Sequence, residues 1–161
     1  MKIILESKSV NETFKIASFI TKFLFKGSVI TLNGDLGAGK TTFTKGVGKA
    51  LKIDEEINSP TFNILKCYFN DCLNLYHIDA YRLEDVPEEN KNIGLEEIIE
   101  GDGITLIEWP IFIKNFINFS LSLNITINLI NNDYRLITLE TANSQYRKLF
   151  EEIRNEDFII R

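Results

Sequence analysis

The run Gly34-Asp35-Leu36-Gly37-Ala38-Gly39-Lys40-Thr41 constrains this chain more than any other feature, because it matches G-x-x-x-x-G-K-[ST] in full. The pattern has a mechanical meaning only between a strand and a helix, and both flanks fit. Val29 to Asn33 is a brief β-branched run, and Lys40 to Leu51 carries helix formers with Phe43, Val47 and Leu51 on one face. Glycines at these positions let backbone N–H groups turn inward around phosphate oxygens, and the helix N-terminus adds partial positive charge. The segment is a P-loop, and Asp35, Leu36, Gly37, Ala38, Gly39, Lys40, Thr41 and Thr42 are the expected nucleotide-binding residues. Lys40 is expected to reach the β- and γ-phosphates, the Thr41 hydroxyl to coordinate Mg2+, and Thr42 to lie near the α-phosphate.

The rest of the chain organises around that unit. Lys2 to Glu6 has the pattern of a short strand, and Ser9-Val10-Asn11-Glu12 forms a capping box before a helix with apolar positions at Phe14, Ala17, Ile20 and Leu24. Two β-rich runs between Asn63 and Asp79 flank Asn70-Asp71, which predicts a hairpin followed by a loop at Ala80 to Leu83. Glu84 to Asp102 holds eight acids against one basic residue, and is expected to be a mobile acidic surface segment with a short helix near Leu95 to Ile99. Ile104 to Ile107 is an all-apolar strand delivering Glu108 at its carboxyl end. A second hairpin turns at Asn131-Asn132-Asp133 between Ile125 to Ile130 and Tyr134 to Leu139, and a helix from about Ser144 to Asn155 follows. The expected fold is α/β: one P-loop NTPase-like domain over residues 1–161, with a mixed parallel and antiparallel sheet flanked by helices.

Charge narrows the ligand class. Residues 1–52 carry nine lysines against three acids, a balance of +6, while the remainder is −11 and brings the total to −5. Positive charge around the P-loop suits a polyphosphate, whereas an acidic total argues against a DNA-binding protein and against direct tRNA contact. Apolar runs fall well short of the roughly 20 residues that span a bilayer. Glu6 interrupts the N-terminus before a signal-peptide core forms, so a cytoplasmic location is expected. Cys67 and Cys72 are too few for a disulfide framework and are expected to be buried free thiols.

A magnesium ion held by one hydroxyl and by phosphate oxygens still needs a carboxylate, usually at the end of a strand beside the P-loop strand. Glu108 ends one such strand, and either binds the metal, directly or through water, or orients the attacking water. Asp79, closing Leu75 to Asp79, competes for the same roles. Thr61, in Asn58-Ser59-Pro60-Thr61-Phe62, lies where nucleotide-binding domains place a loop that senses the γ-phosphate through a hydroxyl. Lys40, Glu108, Asp79 and Thr61 are thus the catalytic candidates. His77, the sole histidine, reads as a packed, hydrogen-bonded residue; Arg82 reads as a salt-bridge partner ahead of a cis arginine finger, and Trp109-Pro110 as packing, with chemistry and partner contact the open alternatives for Tyr81, Arg82 and Trp109.

Taken together, the blocks from Gly34 to Thr42, Ser59-Pro60-Thr61-Phe62, His77-Ile78-Asp79-Ala80-Tyr81-Arg82-Leu83 and Ile107-Glu108-Trp109-Pro110 resemble, in order and approximate spacing, the bacterial tRNA threonylcarbamoyladenosine biosynthesis ATPase family, TsaE (YjeE). The resemblance implies ATP hydrolysis with Mg2+ in service of N6-threonylcarbamoylation of adenosine 37 in tRNA. It implies as partners the threonylcarbamoyl transferase subunit TsaD and its paralogous scaffold TsaB, with tRNA reached through that complex. It also implies that Thr41 and Glu108 are the magnesium-associated pair, and that Thr61 and Asp79 are switch residues around the γ-phosphate.

Two rivals share parts of this pattern. A regulatory GTPase would use Asn-Lys-x-Asp to select guanine, but the nearest segment, Asn90-Lys91-Asn92-Ile93, lacks the aspartate. A small-molecule kinase usually clamps the transferring phosphoryl group with several arginines. Of five arginines here, four lie at or beyond residue 135. Without a placed cationic finger, hydrolysis in isolation is expected to be slow and to rise when partners complete the site.

Overall fold

The computed structural model describes residues 1–92 and 94–157. Seven strands form one sheet: β1 (Lys2–Ser7), β2 (Val29–Asn33), β3 (Leu65–Tyr68), β4 (Leu75–Asp79), β5 (Ile104–Glu108), β6 (Leu123–Leu129) and β7 (Arg135–Glu140). Their order is β1-β7-β6-β2-β5-β4-β3. β2 lies between β5 and β6, parallel to both, and β4 continues the parallel set beyond β5. Antiparallel pairs, β3 with β4 and β1 with β7 with β6, extend both sides. The sheet is mixed, as expected, and its order is information that hydrophobic patterning does not carry.

Among the described residues four α-helices accompany the sheet: α1 (Val10–Thr21), α2 (Lys40–Ala50), α3 (Leu95–Ile99) and α4 (Arg147–Glu152). Strand alternation divides the core between two faces. Ile30 and Leu32 of β2 with Ile104 and Leu106 of β5 pack with Ile16, Ile20, Phe43, Val47, Leu149 and Phe150 from α1, α2 and α4. Ile78 and Ile107 face the other way and pack with Leu83, Leu95, Ile99, Ile113 and Ile117. His77 and Asp79 alternate with Ile78, and Glu108 with Ile107, so all three polar side chains belong to the α2 face.

Local chemistry explains most element ends. Ser9 caps α1 by accepting from Glu12 N–H at 3.1 Å, while Glu12 Oε2 accepts from Lys8 N–H at 2.6 Å, one residue before the cap. Asn131 Oδ1 accepts from the amides of Asp133 and Tyr134, which turns the β6–β7 hairpin. The C-terminal helix is interrupted, with 3-10 turns at Ser144–Tyr146 and Ile153–Asn155 around α4. Tyr146, Leu149, Phe150 and Ile153 nonetheless keep one helical stripe buried.

Two expectations are corrected. Cys67 is half-buried and Cys72 exposed, because Cys72 lies in the β3–β4 turn, where its amide binds Asn70 Oδ1 at 2.6 Å. Both are free thiols, and burial pushes the Cys67 thiol up. The acidic segment is anchored rather than loose: Leu95 and Ile99 sink into the second core cluster, and Lys91 is buried beside Glu88 at 3.0 Å. Ile93 of the Asn90 to Ile93 comparison lies outside the described residues.

Helices α1 and α2 touch through a glycine. A Cβ on Gly46 would meet Ala17 Cβ at 2.7 Å and Phe14 Cα at 3.3 Å, atoms that move only with the α1 backbone. Replacing a helical glycine by alanine gains about 1 kcal/mol of propensity, but overpacking typically costs about 1–3 kcal/mol and sometimes more. Gly46→Ala is therefore expected to lower stability, by about 1–2 kcal/mol net in urea unfolding.

Candidate nucleotide-binding site

The carboxyl ends of β2, β5 and β4 share one edge of the sheet, because these strands are parallel. Clefts at such edges are where open α/β sheets take ligands. Gly34 leaves β2 at φ 147°, Gly37 and Gly39 take left-handed φ of 79° and 114°, and the chain enters α2 at Lys40. Only glycine is at ease in these conformations. At Gly34 space forbids a side chain as well, since a Cβ would meet the Ile127 carbonyl oxygen at 2.5 Å. Phe43 N–H donates to Gly39 O at 2.9 Å, closing the first turn of α2.

A cleft of about 260 Å³ opens here, lined by the loop residues Leu36, Gly37, Gly39, Lys40, Thr41 and Thr42 and, across from them, by Ser59, Thr61, Asp79, Glu108 and Trp109. Lys40 is buried, and its Nζ donates to Gly34 O at 2.7 Å and Asp35 O at 2.9 Å. It also lies 4.7 Å from the Trp109 ring centroid, a cation–π contact. Burial pushes the Lys40 amine down, and Glu108, Asp79 and Asp35 oppose that by charge. A polyphosphate entering the cleft supplies the counter-charge that a buried ammonium lacks.

Asp79 and Glu108 are register partners on β4 and β5, so two buried carboxylates start side by side. Like charges directly opposite repel, and each carboxylate has its own donors. Asp79 Oδ2 accepts from Thr61 Oγ1 at 2.7 Å and from Ser59 Oγ at 3.3 Å, while Oδ1 accepts from Tyr81 N–H at 3.0 Å. Glu108 Oε1 meets His77 Nε2 at 2.8 Å. Thr61 is carried on a turn in which Asn63 and Ile64 N–H both bind Pro60 O. Ile64 O then accepts from Asp79 N–H at 2.8 Å, tying the turn to β4.

Two bulky residues beside the cleft have left-handed backbones, Ile64 at φ 66° and Trp109 at φ 56°. A β-branched or bulky side chain in this region costs on the order of 1–3 kcal/mol, and such strain collects at functional sites. At Trp109 it places the indole over Lys40, so this residue of the Ile107 to Pro110 block lines the cleft.

Every catalytic candidate from the sequence, Lys40, Thr61, Asp79 and Glu108, reaches this cleft with Thr41 and Thr42. Asp35 has an exposed side chain, and Ala38 is buried beneath the loop. Arg82 is exposed and lies over the Phe62 ring at 4.7 Å, in place of the expected salt bridge. Among the described residues no three His, Cys, Asp or Glu side chains form a metal cage. A magnesium ion fits better as a species shared between phosphate oxygens, one hydroxyl and a carboxylate.

Sequence reasoning passed over Arg135. At the start of β7 it returns to the loop, donating Nε–H to Ala38 O at 2.9 Å and packing Nε 3.1 Å from where a Gly39 Cβ would stand. Finding it requires knowing that the β6–β7 hairpin lies beside β2. A hydrogen bond from a charged donor contributes about 1.5–3 kcal/mol where shielded from water. Arg135 is only half-buried, so Arg135→Ala is expected to weaken nucleotide binding about three- to tenfold in an equilibrium titration, with the fold retained.

A family profile described as "Threonylcarbamoyl adenosine biosynthesis protein TsaE" matches residues 7–137. The chain belongs to the TsaE family. It is 43% identical over 157 residues to the tRNA threonylcarbamoyladenosine biosynthesis protein TsaE of Bacillus subtilis, covering 96% of this chain and 97% of that one. The Treponema pallidum protein of the same name is 44% identical over 103 residues, 64% of this chain and 75% of that one. The crystal structure of B. subtilis YdiB superposes with a TM-score of 0.79 at 35% identity, covering 98% of this chain and 97% of that one. The matched segment contains the P-loop, Thr61, Asp79, Glu108 and Arg135. Among the described residues no helix of this TsaE-family chain is long and apolar enough to cross a membrane.

Proposed function

We propose that this chain is a single-domain, magnesium-dependent ATPase that serves N6-threonylcarbamoylation of adenosine 37 in tRNA, acting in the cytoplasm with TsaD and TsaB. The observation that carries the reading is the meeting of Lys40, Thr41, Thr61, Asp79 and Glu108 around one cleft at the carboxyl edge of the parallel strands. The names of its relatives support the tRNA role.

The loop amides and the α2 N-terminus hold the phosphates, and Lys40 exchanges its carbonyl partners for phosphate oxygens. Thr41 and Glu108 would hold Mg2+, whose chemistry is to neutralise charge developing on the phosphates. Asp79 holds Thr61 at the cleft wall, where the Thr61 hydroxyl reports the terminal phosphate. Whichever of Glu108 and Asp79 faces the incoming water orients it for attack on the γ-phosphorus. Trp109 covers Lys40 and limits bulk water.

Slow turnover in isolation is part of the proposal. Among the described residues no arginine lines the cleft: Arg82 sits on Phe62, and Arg135 is spent on Ala38. Completing such a site in trans adds about 10³–10⁵ in rate. Leu36 in the cleft wall and Phe62 next to Thr61 are 74% and 80% exposed, which gives a partner an apolar foothold at the site. The test is a reconstituted modification of tRNA with TsaD, TsaB and an activated threonylcarbamoyl donor. Sustained turnover that needs this chain and ATP supports the proposal. Equal turnover without the chain counts against it.

A further inference from the structure

We infer that His77 is a positioning residue for Glu108, fixing the carboxylate so that one oxygen is held by the protein and the other is kept for the reaction. The inference rests on the ATPase reading of the cleft. His77 is fully buried in β4, where Leu106, two residues before Glu108 on β5, is its register partner. The imidazole therefore reaches Glu108 diagonally along the same face, and its Nε2 stands 2.8 Å from Oε1.

The pair stands at hydrogen-bonding distance, and a carboxylate oxygen that accepts there requires the proton on Nε2. Nδ1, the other ring nitrogen, is buried with no hydrogen-bond partner among the described residues. Leaving that atom unpaired is costly for a residue present only to fill space, since an apolar side chain of the same shape avoids it. The benefit lies on Glu108, which is 3% exposed and faces Asp79 across the β4–β5 pair. The imidazole engages Glu108 through one oxygen, Oε1. Asp79 is already held by Thr61, Ser59 and the Tyr81 amide, so His77 completes a scheme in which each carboxylate has separate donors.

Histidine occurs once, so the untagged chain gives a single imidazole spin system in a long-range 15N–1H spectrum. The expected result is the Nε2-protonated tautomer with resonances that move in Glu108→Gln; the Nδ1-protonated tautomer overturns the pairing. In kinetics, His77→Phe is expected to lower kcat about 10- to 100-fold, the usual range for residues that orient a ligating group. Nucleotide affinity, followed by fluorescence of the single tryptophan, Trp109, should stay within twofold. His77→Gln, which restores an N–H donor, should recover most of kcat. In a Glu108→Gln background His77→Phe should cost at most a further twofold, because the carboxylate it positions is no longer there. A loss of affinity in step with kcat, no rescue by His77→Gln, or full additivity in the double variant overturns the inference. Absence of Lys40-dependent hydrolysis in the wild type would instead count against the ATPase reading, while the imidazole spectrum still decides the pairing.

Discussion

Lys40→Ala is expected to lower ATP hydrolysis by at least about 10²-fold, the scale set by removing one preorganised charge donor from a phosphoryl-transfer site. Among the described residues Lys40 is the one cation in the cleft lining, buried beneath Trp109 and anchored on two loop carbonyls. No neighbouring side chain in that lining substitutes for it. Stability should fall moderately, because two hydrogen bonds are lost and the buried Asp79 and Glu108 lose a nearby positive charge. Phosphate release, nucleotide titration and thermal unfolding of the same preparation check all three parts. A variant already unfolded under the assay conditions would show that the lysine chiefly holds the loop together.

Glu108→Gln is expected to lower kcat by about 10²–10⁴, the range for a positioned acid–base or metal-associated carboxylate, while ATP affinity falls only a few fold. The substitution is isosteric, and the amide oxygen can still accept from His77 Nε2, so the local packing survives. What disappears is the negative charge that the proposed function assigns to the metal and the attacking water. Asp79→Asn makes a useful contrast, since Asp79 is engaged by three donors that also place Thr61 and Tyr81. Its effect should include weaker response to the terminal phosphate as well as slower turnover. Single-turnover phosphate release with tryptophan-monitored binding separates the two patterns.

How much of this was legible in the sequence depended on whether the signal was local. The strand–loop–helix around Gly34 to Thr41, the hairpin at Asn70-Asp71 and the short helix Leu95–Ile99 follow from turn chemistry and periodicity, and all are present. Glu108 and Asp79 were recognisable because each ends a β-rich run, and parallel pairing then sets them opposite each other. Arg135 and Trp109 were not recognisable in the same way. Arg135 reaches Ala38 only because β6–β7 is laid against β2, a long-range choice with no local signature. Trp109 acts through a left-handed backbone that its residue type disfavours. The acidic segment misled for a related reason: its charges are conspicuous, while Leu95 and Ile99, which anchor it, are few. Arg82 looked paired because acids surround it in sequence, yet its neighbour in space is Phe62.

The central claim is that this cleft hydrolyses ATP and that partner proteins complete it. Its most direct test is phosphate release from ATP and GTP by the wild-type chain, alone and in a demonstrably assembled complex with TsaD and TsaB. Slow hydrolysis alone, preference for ATP, and a rise of about 10³-fold or more in the complex are expected. A rate unchanged by the assembled partners would contradict it.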